Sequence, residues 1–229
     1  MFDYLFTPFY LDFLFAVTVL TTLYLFYLAA RQSKAVLLVC LVWLLVQSVV
    51  SITGFYANTL AVPPRFPLLV LPTVLLIVYL FVSKNGKRFI DSLNLRMLTD
   101  LHVVRALVEV VLWRLYIESY VPELMTFEGR NFDILAGITA PIVGFIAFRK
   151  QRVNKTLLII WNVLALGLVL NIVTHGILSA PSPIQQLAFD QPNIAVLYFP
   201  YALLPGFVVP VVIFSHLASL RQLLVSTKP

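Results

Sequence analysis

An all-α membrane protein is predicted from three features of this 229-residue chain. Hydrophobic residues make up 61% of it and charged residues 11%, whereas soluble domains carry about 25% charge. The apolar residues gather into seven segments, each near the length of a membrane-crossing helix. The basic residues gather in alternate loops between those segments. The expectation is a polytopic bundle of seven transmembrane helices in a single transmembrane domain, residues 1–229.

The segments lie at about 10–30, 35–57, 67–83, 101–121, 134–148, 156–178 and 195–219. Lipid satisfies no backbone hydrogen bonds, so each is assigned as a helix. The fifth is short at its C-terminal end, where Arg149 can snorkel. The opening MFDYLFTPFYLDFLF lacks a basic n-region, so no cleavable signal peptide is expected. One set of loops holds Arg31, Lys34, Lys84, Lys87, Arg88, Arg96, Arg149, Lys150, Arg152, Lys155, Arg221 and Lys228. The other set holds only Arg65 and Arg130, with acidic Asp3, Glu118, Glu123, Glu128, Asp133 and Asp190. That asymmetry places the N-terminus outside and the C-terminus in the cytoplasm of a bacterial inner membrane. Between spans three and four, residues 89–100 carry Ile90, Leu93 and Met97 at helical spacing, which suits either a short interfacial helix or a linker.

Two motifs recur. Phe66-Pro67 to Pro72 and Phe199-Pro200 to Pro205 share FPxxxLP at an offset of 133 (199 minus 66), and Arg88 pairs with Arg221 at that offset. Asp12, Thr18, Arg31 and Lys34 match Asp133, Thr139, Arg152 and Lys155 at an offset of 121 (133 minus 12). The pattern suggests two parallel three-helix repeats, about 10–83 and 134–219, joined by the linker helix 101–121. This order of three, one and three helices with an outer N-terminus resembles the SWEET and PQ-loop transporters in topology. No proline–glutamine pair stands at the bends, since Pro72 precedes Thr73, Pro205 precedes Gly206 and Pro141 precedes Ile142. The loops MTFEGRNFDILAG (125–137) and FDQPNIAVLYFP (189–200) resemble those of an uncharacterised family of bacterial multi-pass membrane proteins.

The linker span holds His102, Arg105, Glu109 and Arg114 at membrane depth. At about 100° per residue, His102, Arg105, Glu109, Trp113, Tyr116 and Tyr120 share one stripe about 80° wide, opposite Val104, Leu107, Val111 and Leu115. Charges inside lipid are costly and face protein or a wet cavity. Arg105 and Glu109 are spaced to form either a closed structural pair or a functional site. Span two contributes Trp43, Gln47, Ser51, Gly54 and Asn58 along one stripe, and span six contributes Asn162, Asn171 and His175. The binding set expected from this pattern is Arg105, Glu109, Trp113, Tyr116, Gln47, Asn162 and Asn171. Glu128, Arg130, Asp133 and Asp190 are expected at an outer mouth, and Pro72, Pro205 and Pro210 as hinges, because proline breaks helical hydrogen bonds.

Other chemistries are poorly supplied. Cys40 has no partner in the chain. His175 is expected about 30 Å from His102 and His216, too far to share a metal. His102 and His216, at one depth, are the weak metal or haem ligands, and no cofactor is expected. No lysine lies within a span, which argues against a retinal Schiff base. Ser48, Ser51 and Ser215 sit in no GxSxG turn. The expected partners are the lipid bilayer and a small-molecule solute, with a homo-oligomer allowed and no nucleic acid. The function expected is transport or binding of that solute, proton-coupled through span four. The alternatives are a sensory or scaffold protein and a metal-dependent membrane enzyme.

Overall fold

The computed structural model describes residues 5–149 and 153–225. Asp3, Lys150, Arg152 and Lys228, counted in the loop charges above, lie outside the described residues. The helices are α1 (Phe9–Ala29), α2 (Lys34–Ile52), α3 (Phe66–Val82), α4 (Lys84–Ser92), α5 (Leu95–Asp100), α6 (Val104–Ile117), α7 (Asp133–Phe148), α8 (Lys155–Ser179) and α9 (Val209–Val225). A 3-10 turn, Leu101–Val103, leads into α6, and a π-helical turn, Leu204–Val208, leads into α9. No strand occurs among the described residues.

The fold is all-α, and its apolar helices make it a membrane-associated protein. Among the described residues, four segments are long and apolar enough to cross a membrane: α1, α2, α8 and Leu204–Val225. The 17-residue α3 is bent by 92° from α4, and α7 is an apolar helix of 16 residues. Side-chain caps start several helices. Ser33 accepts from Val36 N at 3.5 Å, Ser83 from Gly86 N at 3.0 Å and Asn154 from Leu157 N at 3.1 Å. Residues 89–100, expected as one short helix or a linker, are divided between the end of α4 and α5, with the break at Leu93. Asn94 N donates to Ala29 O at 2.8 Å, tying that break to the end of α1.

α6 is the central helix, packed between α1 and α7. The sequence predicts one polar and aromatic face and one greasy face. Instead both faces meet protein: Val104, Val111 and Leu115 are as buried as Arg105 and Glu109. α6 also stops at Ile117, four residues before Val121. Ser119 N bonds Tyr116 O and Tyr120 N bonds Leu115 O, with Ser119 at φ 65°, a Schellman ending that reverses the chain. α2 likewise stops at Ile52, so Gly54 (φ 70°) terminates the stripe and exposed Asn58 is not on it.

α7 makes the closest approach to α6. Its inward face is Ala136, Gly137, Ala140, Gly144 and Ala147. A Cβ on Gly137 would collide with the backbone of Ala106, and one on Gly144 with the Asp100 carboxyl. Small residues thus bring two backbones together, and they set the register, with Gly137 beside Ala106 and Gly144 beside Asp100. At the C-terminal end of α7, Asn154 N donates to Ala147 O at 3.0 Å, so α7 reaches the level where α8 begins. The 16 residues of α7 cover about 24 Å and the 25 of α8 about 37 Å at 1.5 Å each. α7 is therefore short at its N-terminal end, not at the C-terminal end expected from Arg149. Chain 118–132 fills the missing height, with Val121, Thr126 and Asn131 all 0% exposed. Irregular backbone survives at such depth only when protein surrounds it.

Of the proline positions, Pro72 lies inside α3, Pro205 inside the π-helical turn and Pro210 in the first turn of α9. Near the wide turn, Gly206 O accepts from the Trp43 indole at 2.8 Å.

Candidate functional site: a buried charge cluster beneath an outer cleft

The register of α7 on α6 places Asp133 against Arg105. The Arg105 Nε donates to Asp133 Oδ2 at 2.7 Å, and Nη2 to Oδ1, a two-point ion pair. Nη2 also donates to Ala165 O at 3.0 Å, and Nη1 to His216 Nε2 at 3.0 Å. Ala165 lies near the midpoint of α8, so the guanidinium sits deep in the bundle. Arg105 is 2% exposed and Asp133 5%. Guanidinium has donors only, so His216 accepts at Nε2 and carries its proton on Nδ1. That proton goes to Asn162 Oδ1 at 2.8 Å, and the Asn162 amide donates to Leu158 O at 2.8 Å. Each donor meets an acceptor, which fixes the His216 tautomer.

His102 stacks on His216, with ring centroids 3.7 Å apart and 16° between planes. Trp161 meets the His102 ring edge-on at 5.3 Å and donates its indole proton to Thr139 at 3.0 Å. Neither ring nitrogen of His102 has a hydrogen-bond partner among the described residues. The two histidines expected at one depth do meet. Stacked rings hold their nitrogen lone pairs in separate, nearly parallel planes, so they do not converge on one ion at about 2 Å. No group of three metal-ligating side chains occurs among the described residues.

Glu109 stands one helical turn outward from Arg105, but it is not the partner of Arg105. Its Oε1 accepts from Asn131 Nδ2, and its Oε2 has no partner among the described residues. Asn131 Nδ2 also donates to Met125 O at 2.9 Å, and Asn131 Oδ1 accepts from Asp133 N at 3.0 Å. Asn131 thus joins the two carboxyl groups. The expected Arg105–Glu109 pair is corrected: Asp133 enters from α7 with two-point geometry and takes the guanidinium.

The remaining expected residues separate into three places. Asn162 belongs to the cluster. Gln47, 2% exposed, accepts from Tyr56 Oη at 2.9 Å beside the π-helical turn, apart from the cluster. Trp113 stacks on Phe127 at 6.0 Å, and Asn171 donates to Arg130 O at 3.0 Å, so both brace the outer loop. Asp133 is not at the outer mouth, because α7 begins at mid-height. Glu128 is exposed and is not among the residues that line the cleft. Arg114 pairs with Glu118 at 3.2 Å.

The outer mouth itself is a cleft of about 570 Å³, lined by Tyr116, Pro122, Glu123, Leu124, Gly129, Arg130, Ala188, Asp190 and Gln191. Binding sites for small molecules fall between about 300 and 1,000 Å³. Its two walls are pinned together. Gln191 Nε2 donates to Tyr116 O at 3.0 Å and Val121 O at 2.6 Å, and Ile194 N and Ala195 N both donate to Tyr120 O at 3.1 Å.

One family model, described as a domain of unknown function (DUF8737), matches residues 64–224, well over half of the chain. The chain belongs to the DUF8737 family. The matched span takes in the whole charge cluster and the whole cleft, and leaves out α1 and α2. No curated protein and no solved structure matches the chain.

Sequence reasoning missed Asp133 and His216 as cluster members, and it placed Asn131 only in a polar loop, not against Glu109. The motif signal for Asp133 was its match to Asp12, each in the first turn of its helix. For Asn131, 22 residues from Glu109, local spacing carried no signal.

Proposed function

We propose that this DUF8737 chain is an integral membrane carrier for a small solute, in which solute occupancy is coupled to a proton held at Glu109. One observation carries the reading. Loop 123–131 lines the outer cleft with Leu124, Gly129 and Arg130, and holds Glu109 on its inner side through Asn131. A solute that moves this loop changes the hydrogen bond to a buried carboxyl. The cluster has one fixed cation, Arg105, committed to Asp133. Ionised Glu109 leaves the cluster at net −1, and a proton on Glu109 makes it neutral, so uptake and release of that proton is the natural charge exchange here. The groups facing Glu109 are Asp133 on α7, Arg105 on its own helix and Asn131 on the loop, with His216 of α9 behind Arg105.

In this reading seven spans cross a bacterial cytoplasmic membrane with the N-terminus outside, and α7 with loop 118–132 makes one of them. The halves are parallel repeats about the linker α6, as in the SWEET-like topology. α6 packs on α1 and on α7, the first helix of each half, which suits that arrangement. Reconstituted protein with a trapped pH dye tests the coupling. Wild type should carry protons inward with its solute under an imposed gradient, and Glu109→Gln should fold yet lose the proton movement. Proton-linked uptake by Glu109→Gln at the wild-type rate would remove Glu109 from the mechanism.

A further inference from the structure

We propose that the outer cleft binds a small zwitterion, with Arg130 receiving its carboxylate and Glu123 and Asp190 its ammonium group. The proposal rests on the reading of the chain as a solute carrier and names the class of solute, an α-amino acid or a compact equivalent. The cleft brings charges of both signs to one cavity: two carboxylates and one guanidinium line it. None of these three side chains makes a hydrogen bond or ion pair among the described residues. Charged groups that share a cavity of this size while pairing with nothing are available to a ligand. A simple cation would leave Arg130 uncompensated, a simple anion would leave two carboxylates so, and a neutral solute would engage none of the three. A molecule with both charges a few ångströms apart satisfies all of them. Guanidinium also matches a carboxylate in two-point geometry.

The walls are held ready. Arg130 is fixed through its carbonyl to Asn171 at 3.0 Å, and Gly129 N donates to Thr126 O at 3.0 Å. A Cβ on Gly129 would collide with Glu123 O and crowd Leu124, so only glycine lets this loop fold tightly enough to put Glu123 and Arg130 on one rim. The Gln191 amide nitrogen is occupied by two carbonyls, which leaves Oε1 as an acceptor at the cleft. Tyr116, Pro122 and Leu124 supply a wall with apolar and aromatic surface for the solute's remaining atoms. The ammonium end gains further from an aromatic face.

Calorimetric titration of purified full-length protein in detergent tests this with alanine, lysine and glutamate, and with ethylamine and propionate, which each keep one of alanine's two charged groups. At least one amino acid should bind, and ethylamine and propionate should each bind at least about tenfold more weakly, a difference of ~1.4 kcal/mol. Arg130→Gln and the double variant Glu123→Gln/Asp190→Asn alter exposed side chains and should melt like wild type while each losing about tenfold in affinity. No binding by any of the three amino acids at roughly millimolar concentration overturns the proposal, as does ethylamine or propionate binding as tightly as the amino acid, or wild-type affinity in either variant. Such a failure leaves proton coupling at Glu109 standing. Intact binding with no proton movement overturns the coupling and leaves the cleft assignment standing.

Discussion

Asp133→Asn isolates the charge at the centre of the bundle. The substitution keeps shape and one carbonyl oxygen, and it removes the only anion that bonds Arg105 among the described residues. The guanidinium cannot shed its proton. It stays 2% exposed, with His216 Nε2 and Ala165 O as its remaining acceptors. Breaking a buried ion pair from one side costs about 3–5 kcal/mol. At roughly 2–4 °C per kcal/mol for a chain of this size, the melting temperature should fall by about 6–20 °C. Glu109→Gln should behave differently. The glutamine carbonyl still accepts from Asn131, its NH₂ takes the place of a carboxylic OH, and no cation loses a partner. Its cost should stay within about 1 kcal/mol, the net worth of one adjusted hydrogen bond. Replacing both members of the pair, as Arg105→Met with Asp133→Leu, should recover much of the loss, since a buried pair is often no more stable than apolar residues of similar volume. Thermal unfolding of the four proteins in one detergent measures all of this. If Glu109→Gln loses more stability than Asp133→Asn, Arg105 belongs to Glu109 and the register of α7 on α6 is wrong.

That register has its own test. Gly137→Ala drives a methyl group into the Ala106 backbone and should cost about 1–3 kcal/mol through overpacking, whereas Gly167→Ala, with nothing within 4 Å of its new Cβ, should be neutral or stabilising by up to about 1 kcal/mol; equal melting temperatures for the two would deny the close α6–α7 contact. Orientation is tested by single cysteines in a Cys40→Ser background. Glu128→Cys and Asn85→Cys are both at exposed positions, and an impermeant thiol reagent applied to intact cells should label the first and spare the second. The opposite pattern would invert the topology.

The elements were legible because their signal is one-dimensional. Every apolar segment marked in the sequence carries a helix, and the caps at Ser33, Asn94 and Asn154 stand where polar residues precede apolar runs. The burial of Arg105 and Glu109 was legible too, since two charges within an apolar run must face protein or water. Their partners were not. An i, i+4 spacing made Arg105–Glu109 the economical pairing, yet Asp133 and Asn131 reach them from 28 and 22 residues away. The clue lay in α7, whose run of Ala and Gly permits backbone contact and whose brevity obliges loop 118–132 to descend. Read as a full span with a solvated loop before it, α7 puts Asp133 at the surface. Read as a short helix beginning at mid-height, it puts Asp133 on Arg105. Composition cannot separate those readings, because the buried loop residues Thr126 and Asn131 are as polar as exposed ones.

The cluster is not explained by stability alone. Taking Arg105, Asp133 and Glu109 out of water costs several kcal/mol per ion before any pairing returns it, and an apolar core of equal volume would serve packing as well. A cluster kept for packing would also have its polar atoms satisfied. Here every side-chain nitrogen and oxygen of Arg105, Asp133, His216 and Asn162 has at least one hydrogen-bond partner, while Glu109 Oε2 and both His102 ring nitrogens have none among the described residues. These two groups flank the bonded part. Glu109 lies toward the cleft, on the helix that carries Tyr116 and against the loop that carries Arg130. His102 lies toward the opposite end, in the 3-10 turn that follows Asp100. A fixed ion pair flanked on each side by a titratable side chain with free hydrogen-bonding capacity is costly as scaffold and supports the proposed proton coupling. Loop 118–132 makes this possible, because the shortness of α7 lets one irregular segment touch the cleft and the buried carboxyl at once. A helix continued outward from Asp133 would have turned Asn131 onto a regular face and separated the two sites. The shortness of α7 is therefore the structural reason that the cleft and the cluster share one loop.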